Sequence, residues 1–166
     1  MKINKKLKKE YPWGDRTPWW KRIKKVAECI PEGSTVIDLG GGMGHILRHI
    51  KKCKYYTSID IKEWTDLTIV ADFNKGEYPK VKKSDWIICQ GTIEYMENPK
   101  EFLTKIKKYG SNMVITCREG KSTPGPKRND LKIDDLFKLL KETGWNVTKW
   151  EFIQKLDEVL IICTTW

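Results

Sequence analysis

At 166 residues the chain has material for one hydrophobic core and too little for two comfortable ones, and its 39% apolar and 33% charged residues exclude an intrinsically disordered chain. The longest apolar runs fall well below the roughly 20 residues that span a bilayer, so no membrane segment is expected. The formal charge of +10 is concentrated at one end: residues 1–25 hold eight Lys and two Arg against Glu10 and Asp15, while residues 26–166 are close to neutral.

Residues 1–17 read as a basic, aromatic-rich arm, whose Lys2, Lys5, Lys6, Lys8 and Lys9 suit a solvated tail. Helical spacing then begins at Pro18 and runs to about Cys29, with Trp19, Ile23, Val26 and Ile30 on one face and Pro31-Glu32-Gly33 as the stop. Thr35–Leu39 is a short β-branched run ending in glycines, followed by Ile46, Leu47 and Ile50 at helical spacing, which predicts strand, turn and helix. Further strands are expected at 55–60, 67–71, 85–89 and 112–117, with a helix face of Phe102, Ile106 and Tyr109 between the last two. The segments 62–66 and 73–84 are too short for more than about one helical turn each. Leu131–Thr143 predicts a helix capped by Gly144, and the runs 145–152 and 159–165 lie close enough to pair as an antiparallel hairpin.

Alternating strands and helices require a mostly parallel sheet covered on both faces, with ligands bound at the carboxyl ends of its strands. The expected fold class is therefore α/β, one Rossmann-like domain over residues 18–166 with a seven-stranded, mostly parallel sheet ending in an antiparallel hairpin. Five cysteines form no CxxC pair and sit in apolar stretches. They read as buried thiols in a reducing, cytoplasmic protein, and no metal is expected.

The chemistry concentrates at Val36-Ile37-Asp38-Leu39-Gly40-Gly41-Gly42-Met43-Gly44. Gly40, Gly42 and Gly44 permit a turn at positive φ and close approach to a ligand, and Asp38 sets a carboxylate beside it. A dinucleotide loop would carry its third glycine at position 45, which is His45. Asp60 closes the second strand about 20 residues after the first glycine, where a Rossmann-type fold presents a carboxylate to ribose hydroxyls.

This D-x-G-x-G-x-G string resembles motif I of the class I S-adenosylmethionine-dependent methyltransferases. The resemblance implies that Asp38, Gly40, Gly42 and Gly44 line the methionine part of S-adenosylmethionine, that Asp60 takes the ribose and that Ile61 packs on the adenine. Val70-Ala71-Asp72-Phe73 resembles the family's adenine-binding step, implying roles for Asp72 and Phe73. The stretch 85–96 resembles the fourth strand and turn of the small-molecule branch, such as the ubiquinone/menaquinone-type enzymes, with Ile93-Glu94-Tyr95 where that branch often ends in Leu-Glu-His. Gln90 and Gly91 would then lie beside the reactive methyl group.

No D/N-P-P-Y or Pro-Cys follows the fourth strand, which argues against DNA base methylation of the usual types. His45 and His49 fall after the glycine loop and make unconvincing general bases. Glu94, Tyr95 and Arg118 each follow a strand end and are the polar side chains expected near the methyl acceptor. Trp13, Trp19 and Trp20, and the loop 121–128, are candidate lids. The expected activity is methyl transfer to a small or medium acceptor. RNA methylation through residues 1–25 and a non-catalytic cofactor-binding or partner subunit are the alternatives.

Overall fold

The computed structural model describes residues 1–10, 17–118, 129–153 and 158–165. Its centre is a sheet of seven strands: β1 (Thr35–Leu39), β2 (Tyr55–Asp60), β3 (Thr68–Val70), β4 (Ser84–Gln90), β5 (Gly110–Arg118), β6 (Trp145–Ile153) and β7 (Glu158–Thr165). They lie in the order β3-β2-β1-β4-β5-β7-β6. The first five run parallel, and β7 enters antiparallel between β5 and β6. The strand order reverses between β1 and β4, the place where sheets of this kind bind ligands at the carboxyl ends of their strands, and the glycine loop leaves the sheet there.

Side chains alternate faces along these strands, so one strand feeds two cores. Val36, Ile88, Val114 and Leu160 join Ile23, Val26 and Ala27 of helix α2 (Thr17–Glu28) on one face. Ile37, Leu39, Ile87, Cys89, Met113 and Ile115 point to the other face, where α3 (Pro99–Ile106) supplies Phe102, Leu103 and Ile106 and α4 (Ile133–Glu142) supplies Leu136 and Leu140. Asn98 caps α3 by accepting from the Glu101 amide at 3.1 Å, and Pro99 fits its first turn, where an amide donor is not needed.

Three expectations change. The helix after the glycine loop is a single 3-10 turn, His45–Arg48, because the chain must return to β2 at Tyr55 within a few residues. Residues 1–4 are no free tail: the Asn4 amide donates to the Trp64 carbonyl at 2.8 Å, the Asp66 amide to the Lys2 carbonyl at 3.1 Å, and Ile3 bridges Thr65. A short helix, α1 (Lys5–Glu10), follows them. Cys89, Cys117 and Cys163 are buried, but Cys29 and Cys53 are half-buried. The expected lids at Trp13 and 121–128 lie outside the described residues.

Candidate functional site

Asp38 and its neighbours lie at the carboxyl edge of the sheet on the α2 face. The β1–β2 register sets Asp38 opposite Ser58 and Val36 opposite Tyr56. The Tyr56 hydroxyl donates to Asp38 Oδ2 at 2.7 Å, while Asp38 Oδ1 and Ser58 Oγ are buried with no hydrogen-bond partner among the described residues. Burial pushes the Asp38 carboxyl up to about 7; the bond from Tyr56 and the nearby Arg22 guanidinium pull it down, and Asp60 pushes it further up. Gly41 belongs to this arrangement although the glycine spacing did not single it out: a Cβ there would lie 2.7 Å from both Asp38 Oδ2 and Ser58 Oγ.

The glycine loop is fastened on both sides. The Gly40 amide donates to the Ile59 carbonyl at 2.8 Å, and the Thr92 hydroxyl donates to the Leu39 carbonyl at 2.8 Å. Gly42 has φ +52° with open space where a side chain would stand, so its face is accessible to a ligand. Asp60 Oδ2 accepts from the Gly42 amide at 3.0 Å, and Asp60 Oδ1 accepts from the Trp64 indole at 3.0 Å. Burial raises the Asp60 carboxyl, and these donors oppose the shift.

Ile61, next to Asp60, is 62% exposed, an apolar side chain presented to solvent at the strand ends. Asp72 accepts from the Asn74 amide at 3.0 Å and so caps the turn Phe73–Lys75. The Phe73 ring is buried against Phe102 and Tyr78 at centroid distances of 5.2 and 5.3 Å. Gln90 Oε1 is buried without a hydrogen-bond partner among the described residues, and the Gly91 amide donates to Thr116 Oγ1 at 3.1 Å.

A further residue arrives from α2. Arg22 is 7% exposed, stacks 4.2 Å over Trp19 and pairs through Nη1 with Glu158 Oε1 at 3.0 Å. Its Nε is buried without a hydrogen-bond partner among the described residues. A Cβ on Gly91 would lie 2.9 Å from Nη1, so glycine there admits the guanidinium to the strand end. Helical periodicity had placed only the apolar face of α2, and nothing in the spacing marks Arg22 as turned inward.

Glu94 is 2% exposed and accepts from the Arg118 amide at 3.0 Å, tying the turn after β4 to the end of β5. Tyr95 stands in the same turn, its carbonyl accepting from Asn74 Nδ2 at 3.0 Å. Trp20 lies against His45 and His49 at centroid distances of 5.4 and 5.7 Å, so Trp19 and Trp20 seat α2 on the body.

The donor set fits S-adenosylmethionine. On the same edge of the sheet, the carboxylate oxygen of Asp38 and the guanidinium N–H of Arg22 that lack partners among the described residues match an α-ammonium and an α-carboxylate, and the open face of Gly42 near Asp60 and Ile61 matches a nucleoside.

Residues 13–119 match the family model described as a methyltransferase domain. Among solved structures, a S-adenosylmethionine-dependent methyltransferase from Aquifex aeolicus is similar at TM-score 0.74 and 18% identity, covering 95% of this chain and 98% of that one. A Burkholderia thailandensis 1,6-didemethyltoxoflavin-N1-methyltransferase with bound S-adenosylhomocysteine is similar at TM-score 0.73 and 12% identity, covering 96% and 83%. The methyltransferase of a Haloferax volcanii complex with the Trm112 activator is similar at TM-score 0.74 and 15% identity, covering 88% and 89%. No curated protein matches the chain by sequence. The chain belongs to the methyltransferase-domain family and has the fold of the class I S-adenosylmethionine-dependent methyltransferases.

Proposed function

We propose that this methyltransferase holds the methionine end of S-adenosylmethionine between Asp38 and Arg22, and its nucleoside over Gly42 against Asp60 and Ile61, for transfer to a small or medium acceptor. The observation that carries the reading is the complementary pair of atoms, Asp38 Oδ1 and Arg22 Nε, both buried and unpartnered among the described residues. Leaving either unsatisfied costs roughly 1–3 kcal/mol, more for a charged group, so both favour a ligand that brings a donor to one and an acceptor to the other. An amino-acid zwitterion does this, and a nicotinamide dinucleotide does not.

When bound, the cofactor supplies a methyl group on a sulfonium, ready for in-line displacement by a nucleophilic acceptor. The chain's part is to position and to exclude water. Gly40, Gly42 and Gly44 keep the loop backbone close to the ligand, Asp60 faces the ribose, and Gln90 and Gly91 border the reacting carbon. Glu94 is engaged with the Arg118 amide and holds the turn in place rather than serving as a free base. Asp72 supports the adenine side by capping its own turn.

A small acceptor is supported by the Burkholderia thailandensis neighbour, whose bound partner is 1,6-didemethyltoxoflavin. The reading takes residues 18–166 as the catalytic domain and 1–17 as a basic, aromatic-rich arm, of which Lys2 and Asn4 hydrogen-bond to the loop at Trp64–Asp66. Free thiols at all five cysteines support a cytoplasmic setting. No described helix is long and apolar enough to cross a membrane.

The test compares S-adenosylhomocysteine with 5′-methylthioadenosine, which lacks the amino-acid end, on wild type and Arg22→Lys. Lysine keeps the charge toward Glu158 but not the planar fork, so affinity for S-adenosylhomocysteine should fall about tenfold while that for 5′-methylthioadenosine holds. Equal losses for both ligands would remove Arg22 from the methionine site.

A further inference from the structure

Asp38 lies beneath the glycine loop with 0% exposure, and few groups stabilise its ionised form. From β2 it faces Tyr56, Ser58 and Asp60, and from α2, Arg22; the Cys89 thiol of β4 points to the other face of the sheet but lies within electrostatic reach. Asp60 opposes the charge on Asp38, and Arg22 favours it from a distance. The Cys89 thiol is buried and pushed well above its ordinary range, so it stays neutral. Ser58 Oγ makes no hydrogen bond among the described residues. The direct contact is the 2.7 Å bond from the Tyr56 hydroxyl.

Parallel pairing explains why a tyrosine reaches this position. Val36 lies opposite Tyr56 and Asp38 opposite Ser58, so the phenol must climb one two-residue step, about 6.6 Å, along the same face. A β-branched residue, the usual occupant of such a strand, is too short. Burial and the neighbouring carboxylate push the phenol well above its ordinary range, which keeps it a donor throughout the neutral pH range. The close approach of Gly41 to Asp38 Oδ2 leaves the carboxylate little freedom to turn elsewhere.

We infer that Tyr56 is a positioning residue for cofactor binding: its hydroxyl fixes the Asp38 carboxylate and holds it ionised, so that Oδ1 is presented to the ammonium of the cofactor. This rests on the assignment of Asp38 to the methionine end. Ionised Asp38 attracts the ammonium and protonated Asp38 does not, so affinity for S-adenosylhomocysteine rises with pH through the neutral range. The strongest of the interactions that pull the Asp38 carboxyl down is the bond from Tyr56. Its removal moves the midpoint of that rise upward.

The experiment titrates intact wild type and Tyr56→Phe with S-adenosylhomocysteine from about pH 6 to about pH 8.5, with 5′-methylthioadenosine in parallel and melting curves to confirm folding. Tyr56→Phe should shift the midpoint by about one pH unit, a loss of roughly tenfold on the acid side and little loss at the alkaline end, with no pH-dependent change for 5′-methylthioadenosine. A loss of the same size at every pH marks Tyr56 as structural and overturns the inference. Wild-type affinity independent of pH, or Asp38→Asn binding as tightly as wild type, overturns the Asp38 assignment and the inference together.

Protein made with 3-fluorotyrosine provides a second arm should Tyr56→Phe fail to fold. A more acidic phenol donates a stronger hydrogen bond, so the midpoint should move to lower pH. An unmoved midpoint contradicts the inference.

Discussion

Asp38 carries a cost in the absence of cofactor, and the cost has a definite sign. Burial raises its carboxyl from 3.8 to about 7, so between those values the folded chain binds a proton that the unfolded chain has released. Stability from this group is therefore lost as pH rises through that window, and the loss is complete above about 7. Asparagine has no proton to lose and nearly the same shape. Cofactor-free Asp38→Asn should melt at least about 3 °C above wild type near pH 8, and the advantage should vanish near pH 4. Melting curves at the two pH values check this, and an asparagine variant less stable than wild type near pH 8 would show that the buried charge is not strained. Arg22 differs because it is paired: removing it would leave Glu158, 2% exposed, without its partner, which costs about 3–5 kcal/mol. Lysine is therefore the informative substitution there.

At the scale of elements, strands and glycine loop were legible because short β-branched, apolar runs such as Thr35–Leu39 and Ile87-Ile88-Cys89 are followed by turn-forming glycines, and the fold places them at β1 and β4. The helix expected after Gly44 was not legible as a 3-10 turn, since Ile46 and Ile50 are buried in either conformation and loop length decides between them. Asp38 and Asp60 could be read as strand-end carboxylates, but their partners Tyr56, Trp64 and Gly42 depend on register and loop packing. Asn129 went unnoticed for the same reason. Its Nδ2 donates to the carbonyls of Ile93 at 2.9 Å and Met96 at 2.8 Å, and its amide to that of Glu94 at 2.7 Å, clamping the chain entering α4 to the turn after β4. Asn129→Ala should cost about 2 kcal/mol and lower Tm by several degrees. Its affinity for S-adenosylhomocysteine should stay within about twofold, because the clamp's partners Ile93, Glu94 and Met96 are not among the residues proposed to hold the cofactor. Calorimetry and melting together check the pair of effects; a large affinity loss would mean that the turn also bears on the cofactor.

For the whole molecule, the basic residues of 1–25 do not form one free arm. Residues 1–4 dock along the loop before β3, Arg22 turns inward to Glu158, and Lys25 pairs with Glu151 at 2.8 Å. Lys2, Lys5 and Lys6 stay exposed, but the segment that carries Lys2 is tied to the body of the domain. The sheet order, the two faces of packed core and the reversal of strand order between β1 and β4 converge on one edge, where Asp38, Asp60, Gly42, Gly91 and Arg22 meet. The most direct test of the account is a calorimetric titration of purified wild type and Asp60→Ala with S-adenosylmethionine. The account predicts saturable one-site binding to wild type and at least about tenfold weaker binding to the variant, the loss expected when a hydrogen-bonding carboxylate is removed from its ligand. A folded wild type that takes up no S-adenosylmethionine would contradict it.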